Sequence, residues 1–143
     1  MFVGTQTPRL DDKGRLVVPA RHREALAGGF FLTRGHGPCL HAYPRAEFER
    51  RCAELRALTA EDPAARAHLR VVLASASEEE LDRQGRVTLP SELRAHAGLE
   101  RECAVVGAGE RLELWDEGAW RLSFAAAEAA AAGASFDRLP GLL

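Results

Sequence analysis

The sequence predicts an α+β fold in which two copies of one short unit share a barrel-like core, with short helices packed around it. Three observations predict it. The segments Leu10-Asp-Asp-Lys-Gly-Arg-Leu-Val-Val-Pro19 and Leu81-Asp-Arg-Gln-Gly-Arg-Val-Thr-Leu-Pro90 agree at Leu, Asp, Gly, Arg and Pro with a constant offset of 71. Farther along, Leu40, Tyr43 and Phe48 match Leu112, Trp115 and Trp120 at an offset of 72, so the repetition spans the chain and governs the fold reading. Finally, 143 residues, 46% of them hydrophobic, can build one ordinary core, whereas a unit of about 50 residues with four short strands cannot bury its apolar faces alone.

Each element has a local reason. Asp11-Asp12-Lys13-Gly14 and Asp82-Arg83-Gln84-Gly85 are turn signals, because Asp caps its own backbone and Gly accepts a positive φ. Alternating or β-branched residues follow, Arg15 to Val18 and Arg86 to Leu89, which suits strands. Pro19 and Pro90 are expected at the first position of short helices that end at Gly28-Gly29 and at Gly98. Apolar strands come next, 30–33 with 40–43 and 103–106 with 112–115, each pair joined by a glycine-bearing turn. The first repeat closes with a helix over about 45–58, where Phe48, Cys52 and Leu55 share a face at 3–4 spacing. The second closes with one over about 117–132.

Asp62 and Pro63 look like an N-cap and N1 pair opening a helix to about Leu73, with Leu69, Val72 and Leu73 apolar. The division expected is therefore a first repeat at 1–58, a helical linker at 59–74, a second repeat at 75–132 and a mobile tail at 133–143.

The charge pattern narrows the function. Nineteen Lys+Arg against 21 Asp+Glu leave a formal charge of −2, so no net basic field draws the whole chain to nucleic acid or anionic lipid. Any such binding must come from local clusters. Between Arg9 and Arg23, five basic residues (Arg9, Lys13, Arg15, Arg21, Arg23) face Asp11 and Asp12, a local +3; between Asp82 and Arg94, Arg83, Arg86 and Arg94 face Asp82 and Glu92, a local +1 behind the acidic run Glu78-Glu79-Glu80. The first repeat is therefore expected to supply more of a nucleic-acid contact. An aspartate four residues before an arginine across a turn can orient the guanidinium for a base edge or phosphate, or can simply staple the turn.

Other chemistries find little footing. Cys39, Cys52 and Cys103 are odd in number and widely spaced, which argues against a disulfide framework or a paired metal site. His22, His36, His41, His68 and His96 show no ligand spacing, and neither a metal nor a cofactor is expected. Ser75 and Ser77 lie beside Glu78 without a nucleophile elbow, and Gly35 and Gly37 near Pro38 suit a hairpin turn better than a phosphate cradle. Tyr43, Phe48, Trp115 and Trp120 recur at matched positions, which favours core packing over base stacking. No enzyme is expected. With no apolar run of membrane-spanning length and no secretory pattern in Met1 to Leu10, the expected location is cytoplasmic and the expected partner is not a membrane.

The opening Met-Phe-x-Gly, both Asp-x-x-Gly-Arg-x-x-x-Pro motifs, Tyr43-Pro44, Leu114-Trp115 and the approach to Ala74-Ser75-Ala76 together resemble the MraZ family of bacterial transcriptional regulators. The resemblance covers nearly all of Met1 to Phe124. It departs at His41-Ala42, less apolar than the family's usual strand before Tyr-Pro, and in the alanine-rich tail. It implies two tandem AbrB-like repeats in a swapped-hairpin, double-psi-like β-barrel, and a ring-shaped homo-oligomer. It also implies sequence-specific binding to short direct repeats of double-stranded DNA in the promoter of the division and cell-wall gene cluster, hence nucleoid association. The D-x-x-x-R signature lands on Asp11 with Arg15 and on Asp82 with Arg86; with their neighbours, the DNA-contacting set expected is Arg9, Asp11, Lys13, Gly14, Arg15, Asp82, Arg83, Gly85 and Arg86. A ring-forming structural or adaptor protein, or an antitoxin-like AbrB module, is the competing reading.

Overall fold

The computed structural model describes residues 1–134, so the tail expected over 133–143 lies, from 135 onward, outside the described residues. Along the chain come β1 (Thr5–Gln6), β2 (Arg15–Val17), α1 (Ala20–Leu26), β3 (Phe30–Arg34), β4 (Cys39–Pro44), α2 (Arg45–Leu58), α3 (Pro63–Ser75), β5 (Ser77–Glu79), β6 (Arg86–Thr88), α4 (Ser91–Ala97), β7 (Cys103–Gly107), β8 (Leu112–Asp116) and α5 (Glu117–Ala132). The fold is α+β and consists of the same strand, helix and hairpin order twice, with α3 between the two runs.

The strands pair across the repeats. Six form an antiparallel sheet in the order β1-β7-β8-β4-β3-β5, while β2 and β6 form a separate antiparallel ribbon. Thus β1 of the first repeat is held by β7 of the second, and β5 of the second by β3 of the first. Neither repeat completes its own sheet. The swapped-hairpin, double-psi-like barrel implied by the resemblance is, in its hydrogen bonding, this open sheet plus a ribbon: the ribbon meets the sheet through side chains, not through ladder bonds.

Alternation along the strands explains how both sides are filled. Phe30, Leu32, Leu40, Ala42, Val105, Leu112 and Leu114 point to one face, where they join Leu16, Val18, Val87 and Leu89 from the ribbon and Leu26 and Leu93 from α1 and α4 in one core. Leu16, Leu32, Leu40 and Val105 are fully excluded from solvent. The other face carries Cys39, Ala104, Val106 and Trp115 under Trp120 of α5, and Phe31 stacked on Phe48 of α2 with ring centres 4.4 Å apart. The matched aromatics are therefore packing residues.

Helix boundaries follow the capping chemistry. Asp62 accepts a bond from Ala64 N at 2.9 Å and Pro63 is the first residue of α3, as the sequence suggests. Pro19 and Pro90 differ from expectation: they are N-caps, with ψ of 137° and 140°, and the helices begin one residue later. Proline's fixed φ serves both states, and the extended ψ lets each strand run straight into the cap.

Candidate nucleic-acid interface

The two Asp-x-x-Gly-Arg turns flank the ribbon and are built alike. Asp11 Oδ1 accepts the backbone N–H groups of Lys13 and Arg15, both at 2.9 Å, and Oδ2 accepts Arg15 Nε at 2.6 Å. Asp82 does the same for the backbone of Gln84 and Arg86, both at 2.9 Å, and for Arg86 Nε at 2.8 Å. The backbone N–H of the arginine four residues on, then its guanidinium, hold each aspartate below the ordinary carboxylate range. Because the aspartate grips only Nε among the described residues, the terminal amino groups of each arginine stay available for a bidentate contact.

The register brings the two arginines together. Arg15 pairs with Thr88, Leu16 with Val87 and Val17 with Arg86. Leu16 and Val87 point into the core, so Arg15, Val17, Arg86 and Thr88 share the opposite face, with the two arginine Cα atoms roughly 8 Å apart on a diagonal. The ladder thus puts both on one surface.

The glycines of the turns are contact points between repeats. Gly14 and Gly85 have φ of +73° and +75°, and each carbonyl accepts a backbone N–H from the other repeat, Leu89 and Val18 respectively, at 2.9 Å. Arg94 crosses over Gly14: a Cβ built there would come within 2.8 Å of its guanidinium carbon, and Arg23 crosses over Gly85 in the same way. These two side chains are anchored by Nε bonds to Leu89 O at 3.0 Å and Val18 O at 2.9 Å.

This crossing places Arg94 with the first turn and Arg23 with the second, an even exchange that leaves the charge sums read along the sequence unaltered. In space the first turn has Lys13, Arg15 and Arg94 against Asp11 and Asp12, and the second has Arg83, Arg86 and Arg23 against Asp82, local sums of +1 and +2. The difference from +3 and +1 arises because Arg9, Arg21 and Glu92 lie outside the turns. Arg9 is also compromised as a free cation, since its Nη2 lies 2.8 Å from Glu102 Oε1 on the surface. Lys13 and Arg83 are exposed and form no ion pair among the described residues. No group of His, Cys, Asp and Glu side chains among those residues is arranged to hold a metal.

The arrangement is a basic two-stranded ribbon with guanidinium groups pre-oriented by carboxylates, a form that suits a phosphate backbone and base edges. Comparison with known proteins agrees with the doubled architecture. A family model described as "MraZ protein", and in the same description suggested to be antitoxin-like, matches residues 1–71 and again 72–139. The protein named transcriptional regulator MraZ from Thermobifida fusca is 50% identical over 143 residues, covering all of both chains. Those of the same name from Paenarthrobacter aurescens and Kineococcus radiotolerans are 48% and 50% identical, also over the full length of both chains. With both halves matched by one model and whole-length relatives at this identity, the chain belongs to the MraZ family.

Proposed function

We propose that this chain is a sequence-specific DNA-binding transcriptional regulator that reads duplex DNA with the exposed face of the ribbon and its two flanking turns. The observation that carries the reading is the shared face of Arg15 and Arg86, each oriented by its aspartate. Lys13 and Arg83 at the turn tips supply phosphate contacts, Gly14 and Gly85 shape the turns, and Arg9 steers weakly from its exposed ion pair. The names of the relatives support regulation of transcription. Residues 1–58 and 75–132 act as the two AbrB-like repeats of a swapped-hairpin barrel, with 59–74 linking them.

The chain works as a homo-oligomeric ring on short direct repeats in the promoter of the division and cell-wall gene cluster, and is thereby nucleoid-associated in the cytoplasm. Exposed apolar side chains on the helices support assembly: Leu58 on α2, Val71 and Leu73 on α3, and Leu122 and Phe124 on α5 are between 43% and 77% exposed. A ring also compensates for a small site, because neighbouring contacts on repeated DNA become effectively intramolecular. Among the described residues no helix is long and apolar enough to cross a membrane.

The test is a mobility shift with the DNA upstream of the protein's own gene, against a shuffled duplex of equal length, with light scattering on the same sample. Retention of the upstream DNA alone, lost in Arg15→Ala/Arg86→Ala with native circular dichroism, is expected. Equal retention of both duplexes, or of neither, turns the assignment toward an adaptor or antitoxin-like role, and a monomer refutes the ring.

A further inference from the structure

On the sheet face opposite the ribbon, α2, α3 and the β3–β4 turn enclose a cavity of about 290 Å³. Tyr43 and Phe48 make an aromatic floor, with ring centres 6.1 Å apart. Leu55 and Val72 form the sides, and Arg34, His36 and His68 stand at the mouth. The rings of His36 and His68 lie nearly parallel, 11° apart in plane and 5.6 Å between centres. We propose that this cavity is a binding site for a small organic anion with a flat apolar body, of the aryl carboxylate class.

Size, shape and charge each select that class. At about 290 Å³ the cavity lies at the small end of the range of ligand sites, which begins at about 300 Å³. Its lining mixes apolar and aromatic side chains with a similar number of polar or charged ones, so that apolar contact can supply affinity and the polar groups orientation. The charges on its walls are mostly spent: Arg51 is paired with Glu47 and Glu110, and Glu54 with Arg50. Arg34 forms no ion pair among the described residues, so the uncompensated charge at the mouth is positive. The nearby histidines, with Cys52, are not arranged as a metal site among the described residues. A carboxylate at Arg34 and the histidine pair would place an aryl ring over Phe48 and Tyr43. The proposal does not depend on the ribbon binding DNA.

Cys52 provides the readout. It lines the cavity and is half-buried, with its thiol raised by that burial, whereas Cys39 and Cys103 are fully buried and their thiols are pushed up to about 12 and about 11. The full-length protein is alkylated with iodoacetamide in the presence of phenylacetate or its neutral isostere phenylacetamide, and the ring resonances of His36 and His68 are followed by NMR. Phenylacetate at millimolar concentration is expected to slow alkylation of Cys52 and to shift both rings, with phenylacetamide about tenfold weaker. Arg34→Gln, at an exposed position, should erase the preference for the anion, and Val72→Trp should fill the cavity and abolish protection by both. Alkylation unaffected by phenylacetate, equal protection by acid and amide, or a preference that survives Arg34→Gln would each overturn the proposal. Should Val72→Trp fail to fold, the Arg34 variant decides alone.

Discussion

His41 and Glu113 hold the same position in the two repeats and face each other directly across the β4–β8 ladder, with His41 Nε2 3.5 Å from Glu113 Oε2. The pairing of a position with its own counterpart locates the pseudo-twofold axis of the chain. Tyr43 lies 3.1 Å from His41 Nδ1; with its hydroxyl donating there, the neutral ring keeps its proton on Nε2, toward Glu113. Glu113 also accepts from Arg111 Nη2 at 2.8 Å and Trp115 Nε1 at 3.1 Å.

This pair predicts acid sensitivity of the fold. Burial holds His41 below its ordinary value of 6.5, outweighing the opposite pull of Glu113, and buried His22 is lowered likewise. The unfolded chain therefore binds more protons just below pH 6.5, and stability falls as pH drops through that range. The hydrogen bond from His41, then those from Arg111 and Trp115, hold Glu113 at about 2 against an ordinary 4.5, so its contribution is present above pH 4.5 and is lost toward pH 2. In Glu113→Gln, a plot of thermal midpoint against pH should have a shallower lower limb, since Asp11, Glu47 and Asp82 still contribute to it, and should keep the one that begins near pH 6.5. A lower limb identical to wild type would refute the assignment.

Arg15→Ala and Arg86→Ala should each weaken binding to cognate DNA by about 1–3 kcal/mol, the cost of one good base contact, with circular dichroism unchanged. Their equivalence follows from the shared face and matching aspartate grips. Fluorescence anisotropy checks it, and a loss confined to one of the two would show that one turn alone reads the DNA.

The salt dependence of the same binding separates spatial from sequential charge. On duplex DNA log K falls by about 0.9 per phosphate neutralised for each unit of log salt. Because each turn carries one exposed cation at its tip and one arginine gripped by its aspartate, removing Lys13 with Arg15 should flatten the slope about as much as removing Arg83 with Arg86. A much larger change for the first pair would restore the asymmetry read along the sequence.

Gly14→Ala should cost about 1–2 kcal/mol from its left-handed backbone alone, and its Cβ would displace the Arg94 guanidinium. Gly28 is the control, since it has no positive φ and nothing within 4 Å of its Cβ position; Gly28→Ala should be neutral or stabilising by up to about 1 kcal/mol. Urea midpoints of both variants give the comparison, and equal effects would contradict the tight seating of Arg94 over Gly14.

The repeat, the turns, the cap at Asp62 and nearly every strand and helix were legible in the sequence, because each rests on local chemistry: an aspartate bonding its own backbone, a glycine at positive φ, apolar residues at period two or near four. β1 and β5 carried no such signal. Two and three residues long, they are strands only because the other repeat offers an edge. Tertiary structure alone decided that β2 and β6 leave the sheet to make a ribbon, that Arg15 and Arg86 share its outer face, and that Arg23 and Arg94 cross to the opposite turns. Charge summed along a chain assumes that neighbours in sequence are neighbours in space, and the crossing between the repeats breaks that assumption for Arg23 and Arg94, although exchanging one arginine for another leaves the sums unchanged. The facing of His41 and Glu113 has the same origin: which residue pairs with which across two strands is set by the register of the whole sheet, and no local spacing encodes it.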